Sequence, residues 1–449
     1  MSGRSPEQTP RVVLSDAEGH IFDHPELQML AWDGEAMVTP RRDQLIQLPR
    51  GSDLFVLPGR RALALDAEED DIVEVVEDPD YGPLFAVSAF LAPAYLRLLH
   101  PAYERMPEAP DLSLYAYSAV GWMNGRFYVP AIRVDNDKRQ DPYRFDMDAV
   151  DGGVQDFRAA YPRNKLVRHL ENCAQVYHCR AAQNYFLSRW EAPLPTASRC
   201  NAACVGCISE QQDVNIEASH SRIAIAADAG AIAEVALGHL ERVPNGVVSF
   251  GQGCEGEPLL MGPVLEEAIK RIRQKTPRGV INLNSNGSLP KVVARLADAG
   301  LDAIRISLNS ARTASFERYY RPEGYDLHDL RQSAREMSQR GRYVCLNWLV
   351  FPGVSDSEPE VEAMCQFIAA GGVDMVQLRN LNIDPEVYLA ELGPQAIDRP
   401  MGMVAMVHTL RRRFPQLRFG YFNPPRTRFG RPGPLPGAHV TVDLDQRAG

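Results

Sequence analysis

The sequence predicts an α/β protein in which a barrel or partial barrel of parallel strands follows an N-terminal α+β domain. The main observation is that strand-like and helix-like patterns alternate from about residue 192 onward, which is typical of parallel β–α–β units. Six such strands follow one another, and no glycine fingerprint opens the first helix. This combination favours a barrel over a dinucleotide-binding fold. The first 190 residues lack the alternation, so we expect them to form a separate unit.

Residues 1–190 are predicted to form an α+β accessory domain. Short β-like runs in this region are broken by Pro-Gly pairs and acidic clusters. Segments 115–122 and 126–134 flank Met123-Asn124-Gly125, which is a strong signal for a β-hairpin. Helical pattern then dominates from residue 157 to residue 190. No motif in this region indicates a particular chemistry.

The barrel is predicted to cover residues 191–395. Its expected strands are 192–195, 246–250, 280–284, 303–308, 344–351 and 375–378. Its expected helices include 223–242, 263–274, 290–299, 327–339 and 358–370. Residues 396–449 are expected to form a C-terminal extension with one helix, a candidate strand at 417–422 and a Pro/Gly-rich tail.

The C-terminal extension is rich in arginine. Seven arginines and no acidic residue lie between Arg411 and Arg431. We expect them to dock against the acidic accessory domain, which offers an acidic run at residues 66–71, with a phosphate or nucleic-acid contact as the alternative.

Composition narrows the class of protein. The 449 residues are 45% hydrophobic and 24% charged, which is ordinary globular usage and excludes a fibrous or wholly disordered chain. The 58 acidic residues outnumber the 48 Lys and Arg, so the net charge of −10 argues against a general nucleic-acid-coating protein. No run approaches the roughly 18 apolar residues that a membrane span needs, and no secretory signal is recognisable. We therefore expect a soluble, cytoplasmic protein without a membrane partner.

Three of the eight cysteines, Cys200, Cys204 and Cys207, lie within eight residues. Their C-x3-C-x2-C loop follows the first predicted barrel strand, where the functional loops of such barrels gather. Iron–sulfur clusters are held by cysteine thiolates, and three ligands on one loop leave the fourth iron of a cubane open. A zinc site or a structural cysteine group is the alternative, although structural zinc needs a fourth ligand.

Polar side chains follow one face of several predicted strands. Successive side chains of a strand alternate between faces, so Ser307 shares a face with Arg305 and Asn309. Asn347 and Arg379 occupy similar positions on the next two strands. An inward polar stripe needs hydrogen-bond partners, and polar ligands in the barrel would supply them. The alternative is that these side chains satisfy one another or point to solvent on an edge strand. For Arg379 the alternative is a structural ion pair, whereas a functional Arg379 suits a carboxylate or phosphate.

The chain resembles the radical S-adenosylmethionine (radical SAM) superfamily over residues 192–385. The cysteine loop matches the superfamily signature, and Gly256-Glu257-Pro258 resembles its Gly-Glu-Pro segment, which holds the amino group of the methionine moiety. The turn 284–287 (Asn-Ser-Asn-Gly) resembles a Thr-Asn-Gly turn. Strand 304–309 and loop 351–356 resemble the fourth strand and the loop after the fifth. Two departures are Gly206, where an aromatic residue is usual, and the insertion of Cys254 and Glu255.

This resemblance implies a partial (β/α)6 barrel and two cofactors, one [4Fe-4S] cluster and S-adenosylmethionine. Cys200, Cys204 and Cys207 would bind the cluster, whose open iron takes the amino and carboxylate groups of S-adenosylmethionine. Reductive cleavage would then give a 5′-deoxyadenosyl radical that abstracts hydrogen from a substrate. The expected cofactor-binding residues are Gly256, Glu257, Asn284, Asn286, Ser307, Asn309 and Asn347.

The substrate and the reaction type cannot be read from the sequence. The charge of −10 favours a small molecule or a peptide over RNA. The resemblance also implies an external one-electron donor such as a flavodoxin or a ferredoxin. The alternative to an enzyme is a non-catalytic iron–sulfur or zinc-binding regulatory or scaffold protein. A second cluster or a redox role for Cys173, Cys179 or Cys254 remains open, whereas no cysteine follows Cys365 to serve an auxiliary cluster in a C-terminal extension.

Overall fold

The N-terminal part of the computed structural model is built from short antiparallel strands. The structure describes residues 9–137, 139, 141–211, 216–224 and 228–430. Its strands are β1 (Arg11–Ser15), β2 (Ile21–Met29), β3 (Ala31–Trp32), β4 (Met37–Val38), β5 (Leu45–Gln47), β6 (Asp53–Val56), β7 (Arg60–Asp66), β8 (Asp71–Val75), β9 (Glu77–Asp78), β10 (Gly82–Pro83), β11 (Phe85–Phe90), β12 (Tyr95–Arg97), β13 (His100–Pro101), β14 (Tyr103–Arg105), β15 (Tyr117–Ser118), β16 (Gly121–Met123) and β17 (Arg126–Arg133). Twelve of them form one sheet, whose central path runs β12-β17-β16-β1-β2-β7-β14.

The predicted hairpin is confirmed. Strands β16 and β17 pair antiparallel, with Met123 opposite Arg126. Asn124 and Gly125 between them both have positive φ, 53° and 74°, as a tight two-residue turn that follows the twist of the strands requires.

Three helices follow this sheet: α1 (Met147–Ala160), α2 (Lys165–Gln175) and α3 (Arg180–Phe186). The side chains of Asp146 and Asn164 cap α1 and α2 by accepting backbone N–H bonds from their first turns. The apolar faces of all three helices belong to the same hydrophobic cluster as the barrel, through residues such as Val150, Leu170 and Tyr185. The single predicted helical region is thus three helices, and they pack on the barrel.

The remainder of the chain forms a parallel sheet of seven strands in sequence order. These are β18 (Glu191–Pro193), β19 (Val247–Phe250), β20 (Val280–Ser285), β21 (Ala303–Leu308), β22 (Tyr343–Val350), β23 (Met375–Asn380) and β24 (Arg418–Gly420). Each pairs parallel with the next, as predicted for the first six. The seventh lies within the expected C-terminal extension and adds one strand to the predicted barrel sheet. The fold is therefore the predicted α/β partial barrel with an antiparallel N-terminal domain.

Helices connect the parallel strands. They are α4 (Ala229–Arg242), α5 (Gly262–Lys275), α6 (Pro290–Ala299), α7 (Thr313–Tyr320), α8 (Leu327–Gln339), α9 (Glu358–Gly371), α10 (Pro385–Leu392) and α11 (Met403–Arg413). Helix α4 begins later than residue 223 because the side chain of Asp228 caps it, and residues 225–227 of the predicted span lie outside the described residues. Helices α7 and α10 are additional to the predicted ones. No described helix is long and apolar enough to cross a membrane.

The N-terminal sheet contacts the barrel through buried polar groups. The Arg60 guanidinium donates to the Asp384 carboxylate at 2.8 Å, and both side chains are fully buried. The same carboxylate accepts the backbone N–H of Leu112 at 2.8 Å. Backbones also approach closely, since a Cβ atom on Gly34 would lie 2.3 Å from the Cα of Gly353. These contacts fix the position of the N-terminal sheet beside the strands of the barrel.

The expected docking of the arginine-rich segment on the accessory domain is seen for Arg428 and is wrong for Arg413 and Arg426. Arg413, Arg426 and Arg428 pair with acidic residues of the barrel and of the segment after β17, namely Glu362, Asp302 and Asp137. Arg431 and the Pro/Gly-rich tail lie outside the described residues. The arginines therefore hold the C-terminal segment against nearer acids.

Candidate functional site

A cavity of about 610 Å³ opens at the carboxyl ends of the parallel strands and extends between them. This is where loops of an α/β barrel form their sites. Its wall includes Cys204 and Cys207 of the cysteine loop and Glu257 of the loop after β19. The N-terminal part closes another side with apolar residues such as Phe90 and Leu91. Both parts of the chain therefore shape one space.

The cysteine loop is held in place by backbone hydrogen bonds. The N–H groups of Ala203 and Val205 donate to the carbonyl groups of Tyr320 and Tyr319, at 3.1 and 3.0 Å. The N–H of Glu323 donates to the Asn201 carbonyl at 2.9 Å. Because the end of α7 pairs with the loop along its length, the loop has little freedom to change its conformation.

The loop after β19 meets the cysteine loop from the other side. The N–H of Gly256 donates to the carbonyl of Ala197 at 2.7 Å, and a Cβ atom on Gly256 would lie 2.0 Å from the carbonyl oxygen of Arg199. Glu255, one of the two inserted residues, is buried and accepts the N–H groups of Thr196 and Ala197 at 2.7 and 2.8 Å. The inserted Glu255 thus stabilises the segment that leads to Cys200. Glycine is needed at position 256 because no side chain fits there.

The three cysteines are partly exposed free thiols. Burial, and next the Glu257 carboxylate, raise the pKa of Cys200 to about 11, and burial raises the pKa of Cys204 as well. A guanidinium nitrogen of Arg222 lies 3.8 Å from Sγ of Cys207, where it can stabilise a thiolate. Iron ligation must therefore displace protons from the Cys200 and Cys204 thiols, whose pKa values are raised.

The spacing of the sulfur atoms bears on whether the loop binds a cluster or a single ion. Among the described residues, the His, Cys, Asp and Glu ligand atoms that lie within 4.8 Å of one another in groups of three or more do not include this triad. A tetrahedral zinc ion would bring its sulfur ligands to about 3.8 Å, given Zn–S bonds of about 2.3 Å. Sulfurs spread more widely suit a cluster in which each thiolate binds a different iron.

Glu257 has a structural part as well as a position on the cavity wall. Its Oε1 accepts the Leu259 N–H and the Ser285 hydroxyl at 2.8 and 2.7 Å, and its Oε2 accepts the Asn286 N–H at 2.8 Å. A carboxylate offers about four acceptor positions, so one remains at Oε2. Burial raises the pKa of Glu257 to about 7. The residue caps a helical turn and can still accept one hydrogen bond from a ligand.

Of the predicted asparagines and serine, four line the cavity and one does not. Asn284 and Asn286 line the cavity, with Asn284 bonded to the Gly251 carbonyl at 2.9 Å. Ser307 and Asn347 also line it and bond to each other at 3.0 Å, while Oδ1 of Asn347 is buried without a partner. Asn309 is separated from them: it follows the last residue of β21, and its amide donates to Tyr388 and to the Ser315 carbonyl. Gly256 lies on the same wall as Glu257.

Two arginines reach the cavity from β21 and β23. Arg305 donates to Gln377 at 3.3 Å, and Arg379 donates to the Tyr421 carbonyl at 2.8 Å. The Nε atoms of both are buried without a hydrogen-bond partner. Burial, and next the charge of Arg379, lower the pKa of Arg305 to about 9. Their charges are therefore only partly compensated inside the site.

Several site residues could not have been found from the sequence. Tyr319 lies against Gly206, and Arg222 lies against Cys207, but neither belongs to a recognisable pattern. Asn423 follows β24 and donates to Glu191 on β18 at 2.9 Å, across the open side of the sheet. These residues are far apart in the sequence and reach the site only when the chain folds.

Comparison with solved structures finds proteins that include a radical SAM methyltransferase and a hydrogenase maturase. A radical SAM methyltransferase from Sphaerobacter thermophilus is 16% identical, with 51% of this chain and 66% of that chain covered and a TM-score of 0.35. SuiB from Streptococcus suis is 13% identical, with 57% and 53% covered and a TM-score of 0.34. The FeFe-hydrogenase maturase HydG from Carboxydothermus hydrogenoformans is 11% identical, with 61% and 70% covered and a TM-score of 0.35. This chain thus spans between 53% and 70% of their length.

A comparison with curated proteins found no match. A family model, by contrast, matches residues 194–365, the segment that carries the cysteine loop, the Gly-Glu-Pro segment and the polar strand ends. Within the matched residues lie the parallel strands β19 to β22 and the cysteine loop, part of which lines the cavity. Residues 194–365 of this chain thus match the model of the radical SAM superfamily, whose enzymes use a [4Fe-4S] cluster and S-adenosylmethionine.

Proposed function

We propose that this protein is a radical SAM enzyme whose substrate is an anionic small molecule or a peptide, bound through Arg305 and Arg379. The observation that carries the proposal is the pair of cavity arginines. Arg305 and Arg379 donate to Gln377 and to the Tyr421 carbonyl rather than to a described acidic side chain, and both have a buried Nε without an acceptor. Such groups cost free energy unless a ligand satisfies them, and a planar guanidinium fork suits a carboxylate or a phosphate.

Cys200, Cys204 and Cys207 would hold the cluster in this proposal. Glu257 would accept a hydrogen bond from the ammonium group of S-adenosylmethionine at its free Oε2 position. Asn284, Asn286, Ser307 and Asn347 would contact the rest of that molecule. When bound, the two cofactors supply a 5′-deoxyadenosyl radical that abstracts hydrogen from the substrate.

The size and lining of the cavity limit the substrate. Its volume of about 610 Å³ lies within the usual range for small-molecule sites, and S-adenosylmethionine occupies part of it. The remaining space suits a small molecule or the end of a peptide better than RNA. Phe90 and Leu91 on the N-terminal side offer an apolar surface for the uncharged part of the substrate. The electron is expected to come from an external donor such as a flavodoxin or a ferredoxin.

Anaerobic reconstitution with iron and sulfide, followed by low-temperature EPR, tests the enzyme class. We expect a reduced-cluster signal that changes when S-adenosylmethionine is added and that is absent from Cys200→Ala. Cys345→Ala, which removes a buried cysteine away from the loop, is the matched control and should keep the signal. A cluster that is indifferent to S-adenosylmethionine would support a non-catalytic scaffold instead.

The substrate class is tested by following 5′-deoxyadenosine formation with pairs of compounds that differ only in a carboxylate against a carboxamide. We expect stimulation by a carboxylate and not by its amide. Arg379→Gln should raise the KM for that carboxylate by about tenfold or more, the loss of one charged hydrogen bond, while the EPR response to S-adenosylmethionine is retained. A neutral compound that stimulates the wild type and Arg379→Gln equally would contradict the anionic substrate.

A further inference from the structure

A second set of metal-binding side chains lies beside the cavity wall. Nε2 of His169, Sγ of Cys173 and Sγ of Cys254 all lie within 4.8 Å of one another. The histidine nitrogen is 3.4 Å from the sulfur of Cys173 and 3.7 Å from the sulfur of Cys254. Both cysteines are buried, with 2% and 8% of their surface exposed.

The fold brings these residues together from two directions. His169 and Cys173 are four residues apart on α2, so their side chains share one face of that helix. Cys254 comes from the loop after β19, where it was inserted next to Glu255. The three ligands therefore join a helix of the N-terminal part to a loop of the radical SAM site.

The distances fit one tetrahedral ion. With Zn–S bonds of about 2.3 Å and Zn–N bonds of about 2.0–2.1 Å, tetrahedral angles place sulfur and nitrogen ligands about 3.6 Å apart. The observed distances of 3.4 and 3.7 Å lie on either side of that value. A cluster would need the sulfurs on separate irons and so further apart. The grouping is therefore suited to a mononuclear site, in contrast to the Cys200 loop.

We propose that His169, Cys173 and Cys254 bind a single zinc ion, with His220 as the fourth ligand. Nε2 of His220 lies 3.5 Å from the place that a Cβ atom on Gly253 would occupy, but it is not within 4.8 Å of all three ligand atoms, so its side chain must shift toward the ion when the metal binds. Binding displaces one proton from each of the two thiols, and two thiolates balance the charge of Zn²⁺. Four protein ligands leave no open position, which is the composition of a structural zinc site.

The role of this zinc site is to position the loop after β19. Cys254 precedes Glu255, which accepts the N–H groups of Thr196 and Ala197 just before the cluster cysteines. Gly256 bonds to Ala197 as well. An ion that anchors Cys254 to α2 thus stiffens the support of the cluster loop without touching the cavity.

The zinc content of the purified protein, measured by inductively coupled plasma mass spectrometry, tests this proposal. The full chain is prepared with Cys200, Cys204 and Cys207 replaced by Ala, so that the cluster loop cannot bind zinc. We expect about one zinc per chain after dialysis, and less than about a tenth of that after a further Cys173→Ala or Cys254→Ala change. Cys365→Ala is the matched control, a buried cysteine on α9, and should keep the zinc.

A second variant distinguishes the loss of a zinc ligand from the loss of the fold. His169→Cys supplies another zinc ligand, so it should keep the metal, and after cobalt substitution its thiolate-to-metal absorption should rise by about half. His220→Ala should weaken zinc retention against a chelator by about tenfold or more; unchanged retention would overturn the assignment of His220. Absence of zinc from the parent, zinc retained in Cys173→Ala, or a Cys173–Cys254 disulfide in anaerobically purified protein would overturn the site.

Discussion

The hydroxyl of Tyr319 lies against the backbone of Gly206, so that a Cβ atom at position 206 would be 2.7 Å from Tyr319 Oη. The tyrosine on α7 therefore occupies the space beside the last cluster cysteine that a side chain at position 206 would otherwise fill. Gly206 departs from the aromatic residue that is usual there in the superfamily, and the Tyr319 ring provides the physical reason.

Gly206→Ala should destabilise the chain by about 1–2 kcal/mol, because the added methyl overpacks a buried ring. Tyr319→Phe removes the hydroxyl that the methyl meets, so the double variant should recover most of that loss. Urea unfolding of the two single variants and the double variant measures the coupling. Additive losses in the double variant would show that the contact is not the cause.

Glu360 should make stability depend on pH. Its buried carboxylate accepts the Ser310 hydroxyl and the Ala311 N–H, and burial raises its pKa from 4.5 to about 7. The folded chain therefore holds this proton more tightly than the unfolded chain does. The resulting stabilisation is present below about pH 4.5 and is lost as the pH rises to about 7, and it amounts to about 3 kcal/mol at 1.36 kcal/mol per pH unit.

Glu360→Gln should flatten the fall in unfolding free energy between about pH 5 and pH 7. A residual slope is expected, because burial also raises the pKa values of Glu257 and Asp356, to about 7 and about 6. Urea unfolding at a series of pH values measures how the unfolding free energy depends on pH. The exposed Glu358→Gln in the same helical turn is the control and should keep the full slope; identical slopes in both variants would contradict the prediction.

Asp384→Ala should destabilise the chain by about 3–5 kcal/mol, because it leaves the fully buried Arg60 without its closest carboxylate. The double variant Arg60→Met with Asp384→Leu removes both charges and should recover much of the loss. Equilibrium unfolding in urea distinguishes the two. A double variant as unstable as Asp384→Ala would show that the contact to Leu112 dominates.

Arg305→Met should stabilise the ligand-free protein by about 1 kcal/mol, because it removes a charge that lacks an ion-pair partner in the cavity. It should also abolish stimulation of 5′-deoxyadenosine formation by an anionic substrate. Thermal unfolding measures the expected gain in stability, and the activity assay measures the expected loss of stimulation. A lowered melting temperature would indicate that the bond to Gln377 makes Arg305 a structural residue.

Features that depend on local spacing could be predicted from the sequence. The cysteine loop and the first six parallel strands follow from short-range patterns, and the hairpin follows from Asn124-Gly125. Alternation also identified the polar face of β21. Asn309 follows the last residue of that strand, where the alternation no longer applies, and its amide donates to Tyr388 and to the Ser315 carbonyl.

Features that depend on distant pairing could not be predicted. Strand β1 pairs with β2, β11 and β16, and no local pattern specifies which of these neighbours it takes. The contact of Tyr319 with Gly206 and the cluster of His169, Cys173 and Cys254 likewise require the complete fold. The sequence pattern identifies the chemistry of the cluster loop, whereas the surroundings of that loop come from tertiary packing.

The bond from Asn423 to Glu191 has a consequence for the order of assembly. It joins the segment after the last strand to the first strand of the same sheet, and Phe90 of the N-terminal part lines the same cavity. During synthesis, a ribosome must release almost all of the described chain before these pieces can meet. The site can therefore close only after the chain has been synthesised as far as Asn423. Iron and sulfide must reach the cysteines before that closure or through the opening of the cavity.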